Sequence, residues 1–169
     1  MSAADALTLF RAVAVVPIVW AIASDQRVIA LGLFVLAAAS DAVDGMLARR
    51  AGNISARGAL LDPLADKVLV VGTLVGLTAV GSGWPVAVVT AFTAVREGIV
   101  ALSRVRGSAR GAPLHADRLA KIKTAAQMIG VALIIVGERP WPVAGATLVG
   151  LAFLLSLATL PRYFATRLS

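Results

Sequence analysis

The chain has 169 residues, 59% of them hydrophobic, with a net charge of +7 and no cysteine. Soluble domains run at roughly 45–50% apolar, and the mean hydropathy of +0.89 turns the positive charge toward lipid rather than nucleic acid. The lack of cysteine excludes a disulfide framework and thiolate chemistry.

A membrane-spanning helix takes roughly 20 mostly apolar residues. The sequence predicts six such spans in one domain covering 1–169, at 7–24, 28–49, 61–81, 84–104, 119–137 and 141–161. The first follows "MSAADALTLFR", which has no basic lead, so it is predicted as a retained span and not a signal peptide. It stops at "SDQR". The second ends in "AASDAVDGMLARR", which puts Asp41 and Asp44 three residues apart on an apolar helix. After "RRAGNISARGA" the third span brings Asp62 and Asp66. Pro63 is expected near the start of that helix, where a missing N–H costs least. "GSGWP" leads into the fourth span, which carries Arg96 and Glu97 within its apolar run. The basic stretch "RVRGSARGAPLHADR" precedes the fifth, which opens with Lys121 and Lys123, and "GERPWP" introduces the sixth. His115 reads as a solvated loop residue, and Gly72-x3-Gly76 as a close helix contact, inside the bundle or at a dimer interface.

Basic residues sort by connection. Arg49, Arg50 and Arg57 flank the second connection; Arg104, Arg106, Arg110, Arg118, Lys121 and Lys123 the fourth; Arg162 and Arg167 lie in the tail. The remaining connections offer only Arg27 and Arg139. The positive-inside rule then predicts a multi-pass protein of the cell (inner) membrane with both termini cytoplasmic. Trp20, Trp84 and Trp141 fall beside the three connections assigned outside, as an interfacial aromatic belt would.

Four of the nine acidic residues fall between Asp41 and Asp66. Partners at i,i+3 and i,i+4 share a helix face, so two antiparallel neighbours joined by a short loop can turn both pairs toward each other at the cytoplasmic end. Four facing carboxylates near lipid cannot all stay ionised without cations. Two divalent ions resolve this, and hard oxygen donors suit Mg²⁺ or Mn²⁺. A two-metal clamp of this kind suits displacement at phosphorus. The alternatives are an ion path, as in a small cation transporter, or structural pairing with Arg49 and Lys67.

The spacing Asp41-x2-Asp44-Gly45-x2-Ala48-Arg49-x8-Gly58-x3-Asp62-x3-Asp66 resembles, at every fixed position, the signature of the CDP-alcohol phosphatidyltransferase family. "ALTLFR", "GALLDPLADKV", "VREGIV" and "KIKTAAQ" extend the likeness toward its bacterial phosphatidylglycerophosphate synthase branch. Asp5 stands where that branch usually has Asn, and Ala120 where Gly commonly precedes Lys-x-Lys-Thr. The resemblance implies an all-α membrane enzyme that transfers a phosphatidyl group from CDP-diacylglycerol to sn-glycerol 3-phosphate in phospholipid biosynthesis, releasing CMP. Other acceptors in the family would make it a cardiolipin, phosphatidylinositol-phosphate or phosphatidylserine synthase. It implies Asp41, Asp44, Asp62 and Asp66 as metal ligands, with Asp66 also the general base, and a homodimer.

Gly45, Gly58, Arg49 and Thr8 are expected at the CDP site. Helix packing is the alternative for the glycines, and a membrane-surface anchor for Arg49. The resemblance implies that Arg96, Arg104, Lys121 and Lys123 hold the acceptor phosphate; an arginine deep in a span is expensive unless paired, which singles out Arg96, while ordinary interfacial lysines are the alternative for Lys121 and Lys123. Glu97, next to Arg96, is expected to point about 100° away; the alternative to a phosphate site is that Glu97, or an acid on another span, pairs with Arg96 for structural reasons alone. Arg11 is a weaker substrate-site candidate.

Overall fold

The computed structural model describes residues 3–51, 56–108 and 118–165, with side chains at 10–40, 67–102 and 122–157. Among the described residues it has six helices and no strand: α1 (Ala3–Ala23), α2 (Arg27–Ala51), α3 (Ala56–Ala79), α4 (Trp84–Ser108), α5 (Arg118–Val136) and α6 (Trp141–Ala165). The all-α expectation and its six elements hold. Among the described residues one stretch, Trp84–Leu102, meets the length and apolarity needed to cross a membrane. The other described apolar stretches, such as Phe10–Ala23 and Trp141–Leu157, are shorter.

Local chemistry sets the ends. α1 closes with Gln26 N–H on the Ala21 carbonyl at 2.8 Å, and α3 with Ser82 N–H on Leu77 at 3.1 Å, both helix-terminating six-to-one bonds. The residue at each turn takes the left-handed conformation, Asp25 at φ 57° and Gly81 at φ 81°. α4 and α6 both start Trp-Pro, which puts a proline where its missing N–H has no helical partner to lose.

The start of α3 departs from expectation. The helix begins at Ala56, so Pro63 lies two turns inside it and not in its first turn. Ala56, Arg57, Ala59, Leu60 and Leu61 are good helix formers on the N-terminal side of the proline, which leaves the Ala59 carbonyl without its usual donor.

Glycines bring two helix pairs close. A Cβ on Gly72 would sit 2.7 Å from Val15 Cγ1, and one on Gly76 2.5 Å from Val19 Cγ2. The Gly72-x3-Gly76 stripe therefore packs inside the bundle. Its matched four-residue steps make α1 and α3 parallel. In α5 and α6, a Cβ on Gly130 would meet the Gly145 carbonyl at 2.9 Å, and a Cβ on Gly145 would run into the Gly130 carbonyl, so these backbones touch.

Among the described residues, α2 packs mainly on α1 and α5, and α3 on α1, α4 and α5. The core is apolar, with Ile18, Phe34, Leu69, Leu74, Val131, Ile134 and Val149 buried. The short connections 24–26, 80–83 and 137–140 share one end, where Arg27 lies against Gly137. The exposed Trp20, Trp84 and Trp141 mark that end. Helix direction carries Asp41–Asp44 and Asp62–Asp66 toward the opposite end.

Candidate functional site

The inner face of α4 runs Val86, Thr90, Thr93, Glu97, Val100, all buried at alternating four- and three-residue steps. Its outer part is neutral. Thr90 Oγ1 donates to its own helix at the Val86 carbonyl (2.7 Å) and lies 3.0 Å from Thr78 Oγ1 on α3. One turn beyond Thr93 the face becomes ionic. Glu97 is only 5% exposed and meets cations from three helices.

Lys67 of α3 brings Nζ to 2.6 Å from Glu97 Oε2. Arg96 of α4 donates from Nη1 to Oε1 at 2.6 Å, and Lys123 of α5 donates to that same oxygen at 3.1 Å. Lys67, Arg96 and Lys123 are themselves largely buried. An arginine and a lysine sharing one carboxylate oxygen are held close despite their mutual repulsion, and the low-dielectric surroundings strengthen each attraction and each repulsion alike. Arg96 Nε is buried and has no hydrogen-bond partner among the described residues. The guanidinium thus spends one nitrogen on Glu97 and keeps another donor uncommitted there.

Two further polar residues sit close by in the fold. Gln127 is buried one turn above Lys123 on α5. Arg11 is buried at 1% exposure, and the parallel register of α1 on α3 carries it to the level of Val68, beside Lys67.

Of the residues expected from sequence, the structure brings Arg96 and Lys123 together, through Glu97. Asp41 and Asp44 lie on α2, Asp62 and Asp66 on α3, in continuous helix; their side chains are outside the described set. So are the side chains of Thr8, Arg49, Arg104 and Lys121, and the surroundings of Gly45 and Gly58. The expected direction of Glu97 needs correction. Adjacent side chains do leave a helix about 100° apart, yet the long Arg96 side chain reaches round to the carboxylate. The pairing of Arg96 with Glu97 is the structural alternative raised from the sequence; what sequence reasoning missed is that Lys67 and Lys123 share the same carboxylate. The signal was present: Glu97 is the only acidic residue of its apolar run, and a buried carboxylate needs a counter-ion as much as a buried arginine does.

The described residues form an all-helical bundle with an ionic cluster half-way along its interior. The chain belongs to the CDP-alcohol phosphatidyltransferase family, whose model matches residues 1–160. It is a transferase of phospholipid biosynthesis. It is similar to a CDP-diacylglycerol--glycerol-3-phosphate 3-phosphatidyltransferase of Salmonella typhimurium, 34% identical over 94% of this chain and 91% of the relative. A protein of the same name from Cereibacter sphaeroides is 42% identical over 64% of this chain, and the match spans about half of that relative (49%). A probable phosphatidylglycerophosphate synthase of Mycobacterium tuberculosis is 34% identical over 86% of this chain and 68% of its own.

Proposed function

We propose that this chain transfers the phosphatidyl group of CDP-diacylglycerol to sn-glycerol 3-phosphate, giving phosphatidylglycerophosphate and CMP. The observation that carries the acceptor is the ionic centre: Arg96 and Lys123 are brought side by side on one oxygen of Glu97, and Arg96 Nε has no hydrogen-bond partner among the described residues. A phosphate monoester suits such a site, since guanidinium and ammonium donors together satisfy several of its oxygens. The names of the relatives point the same way.

The acceptor hydroxyl attacks the β-phosphorus, the bond from that phosphorus to the bridging oxygen of CMP breaks, and CMP leaves with the electron pair. Asp66 takes the hydroxyl proton, which requires it within hydrogen-bond reach of that oxygen. Arg96 and Lys123 bind the acceptor phosphate and so orient the hydroxyl, which turns a bimolecular encounter into a positioned one. Arg104 and Lys121 extend this basic surface. Arg49, Gly45, Gly58 and Thr8 serve the nucleotide.

The donor set fits divalent cations: four carboxylates, hard oxygen donors, at i,i+3 on α2 and i,i+4 on α3. Asp41, Asp44, Asp62 and Asp66 would hold two Mg²⁺ or Mn²⁺ ions, which when bound supply charge neutralisation at the diphosphate.

We further read the six helices as spans of the cell membrane, with both termini in the cytoplasm and the protein a homodimer. Support for the spans comes from the exposed tryptophans at the end with the three short connections, and from the concentration of Lys and Arg in the other connections and the tail. Purified protein given CDP-diacylglycerol with glycerol 3-phosphate, phosphatidylglycerol, inositol phosphate or serine in turn tests the acceptor. CMP release is expected with glycerol 3-phosphate alone; release with phosphatidylglycerol in its place would move the chain to a cardiolipin-type reaction.

A further inference from the structure

Glu97 has no part in the carboxylate signature and none in the chemistry above, yet three cations meet it. Its Oε1 accepts from Arg96 and Lys123, and its Oε2 faces Lys67, at 2.6, 3.1 and 2.6 Å. Stability alone is a weak reason for such a cluster, because well-packed apolar residues of similar volume often do as well as a buried ion network. The cluster does something an apolar core cannot. Lys and Arg are long and flexible, and fixing each on binding costs side-chain entropy. Glu97 fixes them before any ligand arrives. It also ties together three helices, and its third partner, Lys67, follows Asp66 directly in α3.

We infer that Glu97 is a positioning residue: it preorders Arg96 and Lys123 to receive the acceptor phosphate and, through Lys67, holds that pocket in register with the α3 segment that carries Asp66. The inference rests on the acceptor assignment of the preceding section. In this role Glu97 does not touch substrate. Arg96 keeps Nε for the ligand while Nη1 stays on Glu97.

The test uses the full-length protein purified in detergent, with initial rates of CMP release measured while each substrate is varied in turn. The variants are Glu97→Gln, Glu97→Asp, Arg96→Ala and the double variant Glu97→Gln/Arg96→Ala. Glu97→Gln is expected to lower kcat/KM for glycerol 3-phosphate by about 10- to 100-fold, the scale of coupling within one ion-pair network. The KM for CDP-diacylglycerol should stay within about twofold, and the double variant should be no worse than the poorer single one, since both act through the same guanidinium. Glu97→Asp keeps the charge but withdraws it by one methylene, so a positioning role predicts only partial rescue. If Glu97→Gln fails to fold, Glu97→Asp carries the test alone, with a raised acceptor KM expected. A folded Glu97 variant with a normal acceptor KM, additive losses in the double variant, or loss of folded protein in both Glu97 variants would make Glu97 merely structural and overturn the inference. Arg96→Ala with a normal acceptor KM would instead remove the acceptor assignment beneath it.

Discussion

Replacing Arg96 by alanine should separate acceptor binding from stability. The guanidinium is 12% exposed and sits 2.6 Å from Glu97 Oε1. Removing one member of an isolated buried pair strands the other charge and costs about 3–5 kcal/mol. Here Glu97 keeps Lys67 at 2.6 Å and Lys123 at 3.1 Å, so it is not stranded. The stability loss should therefore fall to about 1.5–3 kcal/mol, the worth of one charge-assisted hydrogen bond. The bound acceptor phosphate has fewer substitutes for its donor, and truncating a partner of a buried charge pair costs about 2–5 kcal/mol. At the lower bound that is about a 30-fold loss in acceptor kcat/KM, since each 1.36 kcal/mol is tenfold. CDP-diacylglycerol should bind nearly as before, because the residues assigned to it lie on α1, α2 and α3. Arg96→Lys should not rescue fully, as an ammonium cannot hold Glu97 from one nitrogen while presenting a second along a rigid plane. The assay is KM for both substrates together with thermal stability in detergent. Stable Arg96→Ala protein with a normal acceptor KM would refute the phosphate-pocket reasoning and lower glycerol 3-phosphate below a cardiolipin-type acceptor.

Asp41→Asn or Asp62→Asn should abolish CMP release while the protein still folds, and chelation should do the same reversibly. Near-normal turnover of either variant at saturating Mg²⁺ or Mn²⁺ would contradict the two-metal assignment. Single cysteines at Ser55 and Ser108 should be labelled only from the cytoplasm and one at Ser82 only from outside; reversed labelling would invert the proposed topology. Gly76→Val should destabilise the bundle by about 1–3 kcal/mol through overpacking, because even its Cβ would lie 2.5 Å from Val19 Cγ2. Thermal melts should show partial recovery with Val19→Ala, and an unchanged melting temperature would contradict the α1–α3 packing.

Much of the fold was legible because its determinants are local. Turn glycines, paired Trp-Pro starts and apolar run lengths put most helix ends within a few residues of those observed. The start of α3 was missed because a proline was treated as a boundary, whereas the surrounding residues favour helix strongly enough to carry one through. The glycine stripe was readable as a contact, but its partner was not, since Val15 and Val19 look like any lipid-facing valines. At the site, Arg96 was legible from the cost of burying it. Its link through Glu97 to Lys67 and Lys123 was not, because it depends on how three separate helices converge and on how far an arginine side chain can reach around its own helix.

The most direct test of the proposed reaction is its stoichiometry. Wild-type protein with CDP-diacylglycerol, Mg²⁺ or Mn²⁺ and limiting glycerol 3-phosphate should release one CMP per phosphatidylglycerophosphate formed, both counted by mass spectrometry, and should stop when the acceptor is spent. CMP released at the same rate without glycerol 3-phosphate, or acceptor consumed with no phosphatidylglycerophosphate formed, would contradict it.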